Sequence, residues 1–232
     1  LHPQYVLISF DGAGVMEQWP RSLALAEKTR ARFTYFLSCV YLLPKDARKS
    51  YRPPGKVAGA SNVGFASSGE EVADRLEWIW KAKTAGHEIA SHGCGHFDGS
   101  AWSKRDWLQE FDAFNAILAG AWARYGRGEE PEGWQQFVRD DVRGFRAPYL
   151  ATGPGLYQAL ADHRFSYDAS GVTQGAVEPD RSQAVVRFGL PQIAEGPSER
   201  RVIAMDYNLF VRHSGGFERT DEDATFENRT YE

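Results

Sequence analysis

Two histidines lie four positions apart in the segment His92-Gly93-Cys94-Gly95-His96, where both could bind one metal ion. The glycines on either side of Cys94 disfavour a helix, so the pair is predicted to lie on a tight loop after a strand. Neutral imidazole is a good ligand for zinc and similar divalent metals, but two ligands are too few for tight binding. A carboxylate is therefore expected from elsewhere in the chain; two surface histidines without a metal are the alternative.

Asp11 is the candidate carboxylate, because it ends the first apolar run of the chain. A carboxylate at the end of a buried strand stays charged at low cost only when a cation or several hydrogen-bond donors lie nearby. Two alternatives stay open. Asp11 and Gly12 could form an ordinary turn, and Cys94 could supply a thiolate ligand if its side chain shared the orientation of both imidazoles.

The segment Arg146-Ala147-Pro148-Tyr149 follows another predicted strand. The ring of Pro148 fixes the backbone and so gives the Tyr149 amide a defined direction, which suits the binding of an oxyanion. The Arg146 guanidinium could pair with Asp11 and orient it. An ordinary structural ion pair is the alternative.

Strands and helices must place these side chains, and apolar runs, helical periodicity and capping signals predict both. Strands are predicted at residues 5–10, 32–38, 88–91, 144–149, 165–170, 185–190 and 201–207, the first of them buried on both faces. Helices are predicted at residues 19–30, 68–86 and 154–163, with another that begins at Ser103. This alternation predicts a mostly parallel α/β sheet, closed as a barrel or open, with functional residues at the carboxyl ends of the strands.

Two further features of the chain concern its loops. The Pro- and Gly-rich residues 43–68 are predicted to form a long excursion of the kind that often shapes a site. The two cysteines, Cys39 and Cys94, each follow a predicted strand. Two buried free thiols are the ordinary interpretation, whereas a disulfide is the alternative because adjacent parallel strands bring their ends together.

The candidate segments resemble the motifs of the polysaccharide deacetylase family (carbohydrate esterase family four, NodB-homology domain), in the same order along the chain. The resemblance covers about residues 5–210, and its matching segments are Ile8-Ser9-Phe10-Asp11-Gly12 (Thr-Phe-Asp-Asp-Gly in the family), Gly86-His87-Glu88-Ile89, residues 92–96 (His-x-x-x-His), Arg146-Ala147-Pro148-Tyr149 (Arg-x-Pro-Tyr) and Phe165-Ser166-Tyr167-Asp168-Ala169-Ser170 (Tyr-Asp-Ser-Ser).

The resemblance implies a distorted (β/α) barrel of about seven strands that hydrolyses N- or O-acetyl groups of a polysaccharide of the chitin, peptidoglycan or xylan type. It implies a divalent ion, with zinc expected, bound by His92 and His96, and Asp11 as the base that deprotonates a water. It also implies that Arg146 orients Asp11, and that Pro148 and Tyr149 contact the substrate, with the Tyr149 amide on the oxyanion.

Two departures from the family pattern bear on turnover. Gly12 stands where the family has the carboxylate metal ligand, so either Asp11 moves onto the metal or the ion keeps an extra water. The Leu-x-His motif that supplies the general acid is missing, and His213, expected in a surface loop, is a poor substitute. We expect a single domain over residues 1–232 that stops before the last β/α unit.

These departures motivate two rival functions, namely a carbohydrate-binding pseudoenzyme and an amidase acting on a small non-sugar amide. The net charge of -4 and the lack of a dense Lys/Arg tract argue against a nucleic-acid partner, and no apolar run is long enough to insert into a membrane. The chain begins at Leu1 rather than Met, as expected if an upstream segment was removed. A periplasmic or extracellular location is expected; the oligomeric state stays open.

Overall fold

The computed structural model describes residues 5–215 of the chain. Its residues form two compact units, which divide between Asp168 and Ala169. The first unit carries strands β1 (Ser9–Gly12), β2 (Thr34–Leu37), β3 (Glu88–Ser91) and β4 (Gly144–Phe145), and strand β5 (Tyr167–Thr173) begins in it. Its helices are α1 (Gln18–Thr29), α2 (Gly69–Thr84), α3 (Lys104–Tyr125), the short α4 (Trp134–Gln136) and α5 (Pro154–Asp162).

The strands of the first unit are parallel and follow one another in chain order. Asp11 of β1 is in register with Phe36 of β2, Ser91 of β3 with Phe145 of β4, and Phe145 with Asp168 of β5. Helical segments connect most of these strands, as parallel pairing requires. The carboxyl ends of β1, β3 and β4 therefore lie at one edge of the sheet, where the candidate residues follow them.

The second unit contains the remainder of β5 together with β6 (Val186–Glu195), β7 (Arg200–Ile203) and helix α6 (Asp206–Ser214). β6 and β7 pair antiparallel, with Ile193 in register with Val202. The sheet has seven strands in the order β1 to β7, so the predicted α/β class and strand number are confirmed. The prediction of a single domain over residues 1–232 stays a prediction.

The predicted capping signals begin the two long helices. Ser68 accepts a hydrogen bond from the Glu71 amide at the start of α2, and Ser103 and Asp106 form a reciprocal capping box at the start of α3. α3 buries Trp107, Phe111 and other apolar side chains at helical spacing, as predicted. No helix within residues 5–215 is long and apolar enough to cross a membrane.

The prediction for the first strand was wrong in both its bounds and its burial. β1 begins at Ser9, and the preceding Tyr5, Val6 and Leu7 are 82%, 76% and 75% exposed. β1 is the first strand of the order and pairs only with β2, so within residues 5–215 no strand covers its outer edge. An apolar run is buried on both faces only where neighbouring elements cover it, and the sequence pattern does not show whether they do.

Two other predicted strands are shorter than expected because each chain segment turns into a helix. Residues 144–149 form a strand only at Gly144–Phe145, after which Pro148–Leu150 make a 3₁₀ turn. The strand predicted at residues 201–207 ends at Ile203, and α6 begins at Asp206. His213 therefore lies in a helix rather than in the expected surface loop.

A buried arginine holds the loop that follows β1. The Arg75 side chain of α2 is 1% exposed, and its Nη1 donates to the carbonyls of Ala13 and Gly14, at 3.0 Å each. Its Nη2 pairs with Glu71 at 2.6 Å, which compensates the charge of the buried cation. This contact ties the chain just beyond Asp11 to the helix layer.

Candidate active site

Three of the predicted site residues lie at the carboxyl ends of strands, at the same edge of the sheet. Asp11 lies near the end of β1, His92 directly follows β3, and Arg146 directly follows β4. The His92 amide donates to the Leu37 carbonyl at 2.8 Å, and the Arg146 amide donates to the Ser91 carbonyl at 3.0 Å. Main-chain hydrogen bonds of the sheet thus continue into the site and fix the backbone from which these side chains project.

Arg146 joins Asp11 in a charged pair. Its Nη1 donates to Asp11 Oδ1 at 2.8 Å and to the Ser9 hydroxyl at 2.8 Å. The guanidinium also lies over the Phe36 ring, at 4.3 Å from the ring centroid. The Arg146 side chain is only 8% exposed, whereas that of Asp11 is 29% exposed. A buried, stacked cation therefore orients a carboxylate that water can reach.

His92 is buried, and its contacts define which ring nitrogen carries the proton. Its Nδ1 lies 2.8 Å from the Arg146 carbonyl oxygen, and because a carbonyl only accepts, Nδ1 must donate. The lone pair of the neutral ring is then on Nε2. Backbone carbonyls that accept from one ring nitrogen are typical partners of metal-binding histidines. Desolvation lowers the pKa of His92 to about 4, so the ring is neutral near pH 7.

His96 lies beside His92, with ring centroids 5.1 Å apart. Its Nδ1 is buried without a hydrogen-bond partner, and burial lowers the pKa of its ring as well. His96 adopts the left-handed conformation at φ 55°, which is uncommon for a residue other than glycine. A buried imidazole nitrogen without a partner is costly unless a ligand occupies it.

The two histidines fit a divalent ion only in part. Both present neutral imidazoles, because burial lowers the pKa of each ring, and the negative charge of Asp11 only partly opposes that lowering. Within residues 5–215, however, no three side chains of the His, Cys, Asp and Glu types come close enough together to hold a metal. Asp11, His92 and His96, the predicted metal ligands, therefore lie at the same edge of the sheet but do not form a three-ligand metal site in this conformation.

Tyr149 completes the site in a strained conformation. Its φ is 58°, directly after the buried Pro148, and its ring stands 4.6 Å from that of His96. A left-handed tyrosine costs conformational free energy, and such strain is often found at functional positions. Tyr149 is 61% exposed, so a ligand could reach it, and its contact with the substrate stays a prediction.

Cys94 is not a metal ligand, because it forms a disulfide with Cys39. The interpretation as two free buried thiols was also wrong. β2 and β3 are adjacent and parallel, and the Cys39 amide donates to the Gly93 carbonyl at 3.0 Å, so the two chain segments after these strands run side by side. The disulfide thus fastens the middle of the histidine loop (residues 92–96) to the end of β2.

Three residues beside the histidine loop were missed in the sequence. Asn62 of the long excursion donates from Nδ2 to the His96 carbonyl at 2.9 Å. Tyr51, from the same excursion, and Glu110 of α3 lie buried against the loop. Glu110 could have been noticed, because it lies three residues after Trp107 and four before Phe114 on the apolar face of a predicted helix, where a glutamate is unusual. Nothing in the local sequence marked Tyr51 or Asn62.

The buried state of His92 predicts how the stability of the metal-free protein depends on pH. The pKa of this group is about 4 in the folded chain and near 6.5 when unfolded, so between these values the unfolded chain binds more protons. We expect His92 to lower the free energy of unfolding by up to about 3 kcal/mol as pH falls from 6.5 to 4. Urea unfolding with a chelator at several pH values measures this; a His92→Gln variant with an unchanged pH slope would contradict it.

Comparisons with known proteins give structural likeness only. No family model and no curated protein matches the chain. Among solved structures, it resembles the Xyl-CE4 domain of a multidomain xylanase from the hindgut metagenome of Trinervitermes trinervoides, with 18% identity over 72% of this chain and 57% of that one, at a TM-score of 0.43. A Streptococcus pyogenes deacetylase in complex with acetate shares 12% identity over 79% and 63% of the two chains, at a TM-score of 0.47.

A third likeness is to a carbohydrate esterase family 4 pseudoenzyme from Bacillus anthracis, with 15% identity over 72% of this chain and 44% of that one, at a TM-score of 0.45. The chain thus spans less than two thirds of each of these three structures.

Proposed function

We propose that this chain is a hydrolase of the polysaccharide deacetylase type that removes acetyl groups from an acetylated polysaccharide. The observation that carries the proposal is a carboxylate, Asp11, held by Arg146 at the same sheet edge as the neutral imidazoles of the buried His92 and the partly buried His96. These side chains lie at the carboxyl ends of the parallel strands β1, β3 and β4, the usual place for catalytic groups in such sheets. The motifs that contain them also resemble those of the family in order and spacing.

In this proposal Asp11 acts as the general base. Its carboxylate accepts a proton from a water, and the water oxygen adds to the acetyl carbonyl carbon. The bond to the sugar nitrogen or oxygen then breaks as Asp11 returns that proton to the leaving nitrogen or oxygen, which releases acetate. Arg146 fixes the orientation of the carboxylate through Nη1, so its free oxygen is available to the water. The Tyr149 amide is proposed to donate to the developing oxyanion.

His92 and His96 are the residues that would hold a divalent ion, with zinc the first candidate. When bound, the ion supplies Lewis-acid polarisation of the acetyl carbonyl and lowers the pKa of water. The tautomer of His92 supports this role, because Nδ1 is occupied by the Arg146 carbonyl and Nε2 carries the lone pair. The Arg146 pair favours Asp11 as a base rather than as the third ligand.

The substrate and the compartment are also proposals. A chitin-, peptidoglycan- or xylan-type polymer fits an exposed site edged by Tyr149 and by the excursion that carries Asn62. The Cys39–Cys94 disulfide supports a periplasmic or extracellular location, since disulfides persist in oxidising compartments.

A second candidate is a carbohydrate-binding protein without turnover. It is favoured by the lack of a third metal ligand near the two histidines within residues 5–215. Gly12 also favours it, because glycine has no side chain to replace the carboxylate ligand that the family has at this position. This candidate requires a ligand-binding site but no metal.

One assay separates the two candidates. Acetate release is measured on acetylated chitin, xylan and peptidoglycan fragments with the protein as purified, after chelation and dialysis, and after addition of Zn²⁺ or Co²⁺. We expect release from one substrate class that falls to background on chelation and returns with the metal. Full activity after chelation contradicts the metal role, and oligosaccharide binding without acetate release under any metal supports the second candidate.

A further inference from the structure

A buried carboxylate that the proposed mechanism does not use lies under the histidine loop. Glu110 of α3 is 3% exposed, and its Oε1 accepts a hydrogen bond from the Cys94 amide at 2.7 Å. The Tyr51 hydroxyl lies 3.0 and 2.9 Å from its two oxygens, and the same hydroxyl accepts from the Gly95 amide at 3.1 Å. Glu110 and Tyr51 together therefore bind two successive amides between His92 and His96.

The polarity of these contacts suits a carboxylate acceptor. The Cys94 amide can only donate, and Tyr51, which accepts from Gly95, has its own proton left for Glu110. Burial raises the pKa of Glu110, while the hydrogen bonds from Cys94, Tyr51 and Gly95 oppose that rise. A buried carboxylate is expensive unless such donors surround it, so the network is costly to break from either side.

The glycines of the loop are needed for this close packing. A Cβ on Gly93, whose φ is 67°, would lie 3.2 Å from Glu110 Oε1, and one on Gly95 would lie 2.5 Å from the Phe97 ring and 2.9 Å from the Tyr51 hydroxyl. A side chain at Gly93 or Gly95 would therefore crowd Glu110, Phe97 or Tyr51. Its shape is matched to Glu110 and Tyr51 in particular.

The disulfide cannot replace this contact. It fixes the Cys94 side chain, but it makes no contact with the Cys94 and Gly95 amides, which Glu110 and Tyr51 bind. His96, which directly follows Gly95, adopts its left-handed conformation at φ 55°. Asn62 binds the carbonyls on both sides of the His96 amide and side chain: its backbone amide donates to the Gly95 carbonyl at 2.8 Å, and its Nδ2 donates to the His96 carbonyl at 2.9 Å, but it does not contact the Cys94 and Gly95 amides.

We propose that Glu110, with Tyr51, is a positioning residue that keeps His96 in its left-handed conformation and its imidazole beside that of His92. The expected effect on metal affinity rests on the proposed function. The expected effect on the conformation of the histidine loop does not depend on it. Neither residue touches the reacting atoms in the mechanism above.

The test compares Glu110→Gln and Tyr51→Phe with Glu77→Gln, an exposed glutamate of α2, as the matched control. Glutamine keeps the shape but places an NH₂ group against a donor, and phenylalanine removes the hydroxyl with little change in packing. Zn²⁺ affinity is measured by calorimetry on the full chain, together with amide exchange at residues 94–96 and the NMR titration of the His96 ring. We expect about tenfold to hundredfold weaker Zn²⁺ binding, faster exchange and a displaced His96 titration in both variants.

Each outcome decides the proposal. Unchanged exchange and an unchanged His96 titration in both variants would overturn it, and so would a change in the loop that leaves Zn²⁺ affinity at the wild-type value. If the wild-type protein binds no Zn²⁺, the proposed function fails, and the exchange and titration data alone then judge the positioning role. Should Glu110→Gln not fold, Tyr51→Phe carries the same comparison.

Discussion

Replacing Asp11 by asparagine is expected to lower kcat for acetate release by about 10² to 10⁴-fold, the usual contribution of a positioned general base. Asparagine has nearly the same shape, and its carbonyl oxygen can still accept from Arg146, which contacts Asp11 Oδ1 at 2.8 Å in the native chain. It cannot take a proton from water. KM should therefore change little while kcat falls, as steady-state kinetics will measure, and thermal unfolding should show a lower melting temperature because the buried Arg146 cation loses its counter-charge.

The same variant shows whether Asp11 is the general base or the third metal ligand, the two roles that stay open because Gly12 has no carboxylate. If Asp11 is the base, Asp11→Asn keeps the Zn²⁺ affinity of the native protein; if it is the third ligand, affinity and kcat fall together. Asp46→Asn, an exposed aspartate in a 3₁₀ turn, is the matched control and should leave both unchanged. A kcat within twofold of the native value in Asp11→Asn would remove Asp11 from the mechanism.

Removing the disulfide is expected to have the second large effect. The Cys39→Ala, Cys94→Ala double variant should lose about 4 kcal/mol of unfolding free energy, because the bond closes a loop with a sequence separation of 55 that includes the whole excursion. Acetate release should fall as well, since Cys94 lies between the two histidines. Urea unfolding of both proteins, with and without a reductant, measures the change.

The reductant supplies the control for this experiment. It should destabilise the native protein by a similar amount and leave the double variant unaffected. Equal unfolding free energies of the native and variant proteins would show that the disulfide does not restrain the unfolded chain. A double variant that is less stable but keeps full acetate release would show that the histidine loop does not depend on the bond.

The sequence predicted the elements whose signals are local and the position of three candidate residues at strand ends. Ser68 and Ser103 cap their helices as expected, and Asp11, His92 and Arg146 follow parallel strands at one edge of the sheet. Apolar runs and capping residues express preferences of a few neighbouring residues, and parallel strands place their carboxyl ends together. Those two rules were enough for the fold class and for the placement of these three side chains at one edge of the sheet.

Features that depend on contacts between distant parts of the chain could not be predicted from local sequence patterns. The run at residues 5–8 has the composition of a buried strand, but its burial depends on what covers it, and Tyr5 is 82% exposed. The spacing of Cys39 and Cys94 allowed both thiols and a disulfide, because the choice depends on the register of β2 and β3. Tyr51 and Asn62 reach the site only through the path of a long excursion.

That excursion also limits how the protein can be re-engineered. Loops of this kind are the usual choice when a substrate preference is to be altered by exchanging a segment between related proteins. Here such a graft would remove the Tyr51 contact to the Gly95 amide and the Asn62 contact to the His96 carbonyl along with the segment. A chimera that kept residues 51 and 62 and exchanged only the stretch between them would vary the rim of the site without disturbing its histidines.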